Sequence, residues 1–187
     1  MTEKMWTVVA SEQLRKDRWI DLRADACLTP SGEKVAPYYV LSYPDWVNIA
    51  AITAEGELVL IRQYRHGVGR WVTELPGGIS DPDDSSLAEA AARELLEETG
   101  YRVTEPPQLI VSLDANPASH TNRVHTFLAR GVTLDRRPTL EAGEEGMSVR
   151  LMPMDKVVEA LRNGEISQSM HVAALFLTLL EAGYLRA

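Results

Sequence analysis

Glu94, Glu97 and Glu98 stand at i, i+3 and i+4 in the segment ARELLEETG, residues 92–100. In a helix that spacing stacks three carboxylates on one face, where like charges destabilise by about 0.2–0.5 kcal/mol per pair. Taking about 100° per residue, Glu97 and Glu98 flank Glu94 on either side, and Ala88, Ala92, Leu95 and Leu96 gather opposite. Two readings fit. One is a solvated acidic face, with Arg93 pairing to Glu89 or Glu97 one turn away. The other is a seat for a hard divalent cation, which takes oxygen ligands and, as Mg²⁺, is usually held by a few carboxylates together with substrate phosphates. The glycine-rich stretch ELPGG, residues 74–78, leads toward the helix and would bring exposed carbonyls beside the carboxylates, which favours the cation.

The chain around these residues bounds what they serve. Its 187 residues suit one domain with at most a small appendage, and 45% apolar content is enough for a core. A net charge of −8 argues against a nucleic-acid surface, which needs a basic patch. It leaves open a phosphorylated small molecule, because a few arginines or a metal ion reverse the field inside one cleft. Cys27 is the only cysteine, so neither an intramolecular disulfide nor a cysteine zinc site is expected, and a reducing cytoplasm is the expected compartment. The start MTEKMWTVVASEQ has no apolar signal region, and HVAALFLTLL is too short to cross a bilayer, so no membrane partner is expected.

The elements that must position the acids follow from periodicity and turn signals. Alternation in WIDLRADACL and the β-branched, aromatic run VAPYYVLSY predict a hairpin turning at TPSGEK. A second hairpin is predicted from WVNIAAIT and LVLIRQYRH, whose nearly continuous apolar runs suit central strands. A loop over ELPGGISDPDDSS precedes the acidic helix, which a Ser86–Glu89 capping box opens and Gly100 closes. Strands follow over QLIVSL, RVHTFLARGV and SVRLMPM. Asp155 caps a helix ended by Gly164, and a last apolar helix covers roughly residues 168–182.

The segment GGISDPDDSSLAEAAARELLEETGY resembles the Nudix box, with Arg93, Glu94, Leu95, Glu97, Glu98 and Gly100 in its pattern. Residues 46–182, notably VLIRQYRHGVGRWVTELPGG, are similar to the ADP-ribose pyrophosphatase branch of that family. The match departs in three places. Gly78 lies fifteen positions before Arg93, one more than the pattern; Asp84 or Ser85 replaces the first glutamate; and Tyr101 stands where an aliphatic residue is usual.

The resemblance implies an α/β fold, a Nudix α/β/α sandwich with a mixed sheet, joined to a small N-terminal antiparallel β-sheet. It implies a division into a dimerising β region, residues 1–45, and a Nudix domain, residues 46–187. The implied metal ligands are Glu94, Glu97, Glu98 and the Gly77 carbonyl, for Mg²⁺ or Mn²⁺, with Arg93 orienting a glutamate. The general base of that branch comes from a distal acidic loop, here EAGEEG, where the equivalent position falls on Glu145 with Glu144 next. A diphosphate needs cations nearby, and Arg65 is the best placed, ahead of Arg70 and Arg62, since an arginine fork matches phosphate oxygens. Glu74 is a supporting acid, and Trp46 stands open between stacking on a base and the core, where Tyr43 is expected. Asn116, Ser119 and Asn122 either read sugar hydroxyls or cap their own loop, and His120 and His125 carry little signal.

The implied activity is metal-dependent hydrolysis of a nucleoside diphosphate sugar, ADP-ribose first, by a homodimer. GDP-mannose or another nucleoside diphosphate derivative is the alternative substrate. A Nudix-like sensor that binds without cleaving is the reading from another class; the retained box glutamates weigh against it.

Overall fold

The computed structural model describes residues 4–185, which divide into two compact units: the chain up to Pro44 with residues 114–123, and residues 45–113 with 124 onward.

In the first unit β1 (Thr7–Lys16), β2 (Asp21–Leu28) and β3 (Lys34–Leu41) form an antiparallel sheet in that order. The expected hairpin is therefore β2–β3, with β1 added at its edge. β1 left no periodic signature because every residue in it is exposed, so nothing selects alternation. Asp25 in β2 is buried, accepting from Ser11 Oγ at 2.6 Å and Arg23 Nε at 3.1 Å. The loop 114–123 joins this unit through the end of β3: Leu41 N–H donates to Ser119 O, and Thr121 N–H donates to Leu41 O.

The second unit is built on a mixed sheet. Its strands are β4 (Trp46–Thr53), β5 (Glu57–Arg65), β6 (Arg70–Glu74), β7 (Gly77–Ile79), β8 (Tyr101–Arg102), β9 (Gln108–Asp114), β10 (Arg123–Leu134) and β11 (Ser148–Pro153). The main order is β11-β5-β4-β10-β8, with β6 on β5, β7 on β4 and β9 on β10; β4 and β10 run parallel and the other registered pairs antiparallel. Helices cover both faces, which is why β4 and β5 are nearly continuous apolar runs. Val47, Ile49, Ala51 and Val59 pack against Ala90, Ala91 and Leu95 of α1 (Leu87–Thr99). Ala50, Ile52, Leu58 and Leu60 pack against α2 (Met154–Asn163) and α3 (Ser169–Glu181). The strand's period of two thus sorts alternate residues to opposite helical layers, giving the expected α/β/α sandwich.

Local signals differ from expectation in three places. Ser86 Oγ caps α1 by accepting Glu89 N–H, but the Glu89 carboxylate accepts from the N–H and hydroxyl of Ser85, so only half of the capping box forms as expected. Asp155 lies in the first turn of α2 and Pro153 is its N-cap residue, without a side-chain cap. The buried stripe of α1 is Ala90, Ala91, Leu95, Glu98 and Thr99, not Ala88, Ala92 and Leu96, because β4 and β7 cover the helix from the side on which Glu98 lies.

Candidate active site

The carboxylates of α1 are graded by cover. Glu98 is 4% exposed, the Glu94 side chain 14% and the Glu97 side chain 41%. The rotation of about 100° per residue carries the three from the buried edge of the helix to open water. Glu98 Oε2 accepts the Gly77 N–H at 2.8 Å. A Cβ on Gly78 would stand 2.6–2.8 Å from the Glu94 carboxylate, so glycine here leaves that carboxylate its place beside β7.

Arg93 neutralises the outer part of the cluster. Its Nε and Nη2 donate to the two oxygens of Asp84 at 3.0 and 3.1 Å, and Nη1 donates to Glu94 Oε1 at 3.0 Å and Glu97 Oε2 at 2.9 Å. Asp84, with its fork on the guanidinium, sits below the usual carboxylate range, and Arg93 is raised, first by Asp84. Among the described residues Glu98 has no cation bonded to it. Burial, reinforced by the charges of Glu94 and Glu144, pushes its carboxyl up to about 8, against the opposing Gly77 N–H and Arg65. Glu94 is raised as well, by burial first, with Arg93 opposing.

Beside this helix lies a cavity of about 380 Å³, lined among others by Trp46, Asn48, Arg65, Gly77, Gly78 and His171. Arg65 is aimed by Glu74: its Nε and Nη2 both lie 2.8 Å from Glu74 Oε2. Glu74 is buried, and its carboxyl is raised by that burial, with Arg65 opposing. Arg65 also lines a second cavity of about 380 Å³, with Arg70, whose Nη2 donates to Ser167 Oγ at 3.0 Å.

The acidic loop folds as a 3-10 turn over Ala142–Glu144, closed by reciprocal bonds between Glu141 and Glu144. Glu144 is half-buried and its charge reaches Glu94 and Glu98, whereas Glu145 is exposed. Trp71 lies under the loop: a Cβ on Gly146 would stand 2.9 Å from its ring. Arg62 lies over the same Trp71 ring, 5.6 Å from its centroid.

The polar residues of DANPASHTN lie in the first unit and make local bonds. Asn116 Oδ1 accepts Ala118 N–H at 3.3 Å, Ser119 Oγ meets His120 Nδ1 at 3.0 Å, and Asn122 Nδ2 donates to Pro44 O at 3.1 Å. Tyr43 is half-buried and stacks on His120 at 5.5 Å. His125 is buried between Ser112 Oγ at 2.7 Å and Asp45 Oδ2 at 2.9 Å. Sequence reasoning missed Asn48, Gln168 and His171 at the cavity. Each sits in an apolar strand, a loop or an apolar helix, where one polar residue gives no pattern; the only available signal was a lone histidine opening the last helix.

A NUDIX domain model matches residues 43–172, and a model of the nucleoside diphosphate sugar hydrolase N-terminal domain matches residues 6–41. The chain belongs to the Nudix family. This Nudix hydrolase is 30% identical over 175 residues to an ADP-ribose pyrophosphatase of Mycobacterium tuberculosis, covering 94% of this chain and 84% of the relative. It is 32% identical over 127 residues to a GDP-mannose pyrophosphatase of Cronobacter sakazakii, covering 63% and 64%. Its fold superposes with a TM-score of 0.85 on a crystal structure described as an ADP compounds hydrolase, at 22% identity, over 99% of this chain and 100% of the other.

Nudix hydrolases generally use divalent metals, and the donor set here suits one. Among the described residues no group of three or more His, Cys, Asp or Glu forms a metal cage. Mg²⁺ does not need one, since one or two carboxylates plus substrate phosphates usually hold it. Glu98, with no cation bonded to it among the described residues, and Glu94 beside it are carboxylates that could hold such an ion.

Proposed function

We propose that this Nudix hydrolase cleaves the pyrophosphate bond of a nucleoside diphosphate sugar, ADP-ribose first, to AMP and ribose 5-phosphate. The observation that carries the reading is buried Glu98, with no cation bonded to it among the described residues, held by the N–H of Gly77, which lines the same cavity as Arg65. Such a carboxylate is costly unless it is protonated or faces a cation. Glu98 and Glu94, with Glu97 and the Gly77 carbonyl, are the proposed holders of Mg²⁺ or Mn²⁺. When bound, the ion polarises phosphoryl oxygens, offsets charge and lowers the pKa of water. Arg93 orients Glu94 and Glu97. Arg65, aimed by Glu74, binds a diphosphate oxygen, and Trp46 packs against the substrate; Arg70 is assigned to the neighbouring cavity.

Glu144 is the proposed general base, ahead of Glu145, because its charge reaches the carboxylates of α1 and Glu145 faces water. It takes a proton from the attacking water as the new O–P bond forms and the bridging P–O bond breaks; the released phosphate leaves with the bridging oxygen. Asn116 and Ser119 remain proposed sugar contacts, with less support because both already make bonds in their own loop.

Phosphate release with Mg²⁺ across a panel of nucleotide sugars tests the reading. Turnover of ADP-ribose above the others supports it. A preference for GDP-mannose would favour the second substrate reading, which the C. sakazakii relative supports, and no turnover on any member would sink the proposal in favour of a sensor.

The N-terminal region, residues 1–45, is proposed as a homodimerisation unit beside the Nudix domain, residues 46–187. β1 is an edge strand that exposes Val8, Val9 and Leu14, an arrangement that invites pairing. A stable active monomer in light scattering would count against it. Cys27 is buried and free, which suits a reducing compartment, and the cytoplasm is the proposed location. Among the described residues no helix is long and apolar enough to cross a membrane.

A further inference from the structure

His171 stands at the start of α3 and is 8% exposed. Its Nδ1 accepts the Leu75 N–H at 2.8 Å. A backbone N–H can only donate, so Nδ1 carries no proton and the neutral ring must hold its proton on Nε2. Among the described residues Nε2 makes no hydrogen bond; it is not among the fully buried unpartnered atoms, and the residue lines the cavity of Arg65. Burial, with the charge of Arg65, lowers the imidazole to about 3, so the ring stays neutral at working pH.

Arg65 has the same design. Nε and Nη2 are committed to Glu74, and Nη1 has no partner among the described residues. Glu74, the last residue of β6, and Leu75 after it therefore hold two residues that line one cavity: Glu74 binds Arg65 through its carboxylate and Leu75 binds His171 through its N–H, and each held side chain keeps one donor without a partner among the described residues. Neither donor presents an acceptor, so a hydroxyl gains less from the pair than an anion, which accepts from both. The first turn of α3 adds the positive end of a helix dipole on the same side.

We propose that His171 is a substrate-positioning residue whose Nε2–H, together with the Arg65 guanidinium, clamps a non-bridging oxygen of the substrate's diphosphate. The inference rests on the pyrophosphatase reading above and adds a residue to its site. A neutral donor keeps the clamp constant across pH, where an imidazolium beside Arg65 would be repelled.

His171→Asn tests it, because the Asn side-chain oxygen can replace Nδ1 under the Leu75 N–H while the Nε2 donor is lost. Loss of one hydrogen bond to a charged group is worth roughly ten- to hundredfold. The variant is expected to melt close to the parent, to lose that factor in kcat/KM, and to bind inorganic pyrophosphate more weakly by a similar factor. A purely structural histidine predicts unchanged kcat/KM and unchanged pyrophosphate affinity in the Asn variant, and that result overturns the clamp. Imidazole ¹⁵N spectra of the parent protein give a second measurement that needs no variant. The expected pattern is a single Nε2–H tautomer, unchanged between pH 5 and 8, that shifts saturably with inorganic pyrophosphate. A titrating ring or an unmoved resonance overturns the proposal. If the parent cleaves no nucleotide sugar yet pyrophosphate still moves His171, the substrate reading fails and the clamp stands; full turnover by His171→Asn is the reverse.

Discussion

The Glu98 carboxylate accepts the Gly77 N–H across 2.8 Å, fastening the last turn of α1 to β7. Burial holds that carboxyl protonated up to about pH 8, so the metal-free fold already keeps a nearly neutral group there. Glu98→Gln should therefore leave the metal-free protein at least as stable as the parent, because a neutral amide replaces a nearly neutral carboxyl of the same size. The stabilisation conferred by added Mg²⁺, which grows as RT ln(1 + [L]/Kd), should shrink. Hydrolysis should collapse. Melts with EDTA and with Mg²⁺, beside one activity assay, check this; parental turnover in the variant would remove Glu98 from the site.

Glu144 and Glu145 are adjacent in sequence and differ in what they face. Glu144→Gln should lower kcat by roughly 10²–10⁴, the range for a positioned acid–base group, and Glu145→Gln should stay near the parent. Steady-state kinetics on both variants decide between them, and the opposite ranking would return the role to Glu145.

Gly77 and Gly78 are neighbours with different constraints. A Cβ on Gly77 would lie 2.2 Å from the Val47 carbonyl oxygen, a backbone clash, whereas one on Gly78 meets the far end of the Glu94 side chain. Gly77→Ala should destabilise by about 1–3 kcal/mol, the range for overpacking. Gly78→Ala should fold, with Glu94 displaced, and lose activity and Mg²⁺ response instead. Urea midpoints and turnover on the pair test the split; equal losses of stability would contradict it.

His171 also makes stability pH-dependent. In the unfolded chain a histidine titrates near 6.5, whereas here burial lowers it to about 3. Between those values the unfolded state binds the extra proton, so this residue's contribution is complete above about pH 6.5 and is lost as pH falls toward 3. The stability difference between the parent and His171→Asn should therefore move against the parent from pH 7 to pH 4. Urea midpoints measured at each pH give that difference, which isolates His171 from the carboxylates common to both proteins. A difference that stays constant with pH would contradict the buried, neutral ring.

What the sequence determined is what repeats locally. The i, i+3, i+4 spacing put three carboxylates on one helix face, the apolar runs made β4 and β5 central strands, and Gly100 ended α1, because each depends on neighbours within a turn or a pleat. The tertiary structure decided what covers each face. Periodicity gives the angle of Glu98 around its helix, but β4 and β7 turn that angle into burial and so into a shifted carboxyl. Adjacent Glu144 and Glu145 carry no local mark telling them apart; only the 3-10 turn faces one toward α1. His171 reads as a lone histidine in a mostly apolar helix until Leu75, 96 residues earlier, supplies the N–H that fixes its tautomer. Side chains meet across such separations only when the sheet is assembled, so their chemistry is a property of the fold and not of any segment.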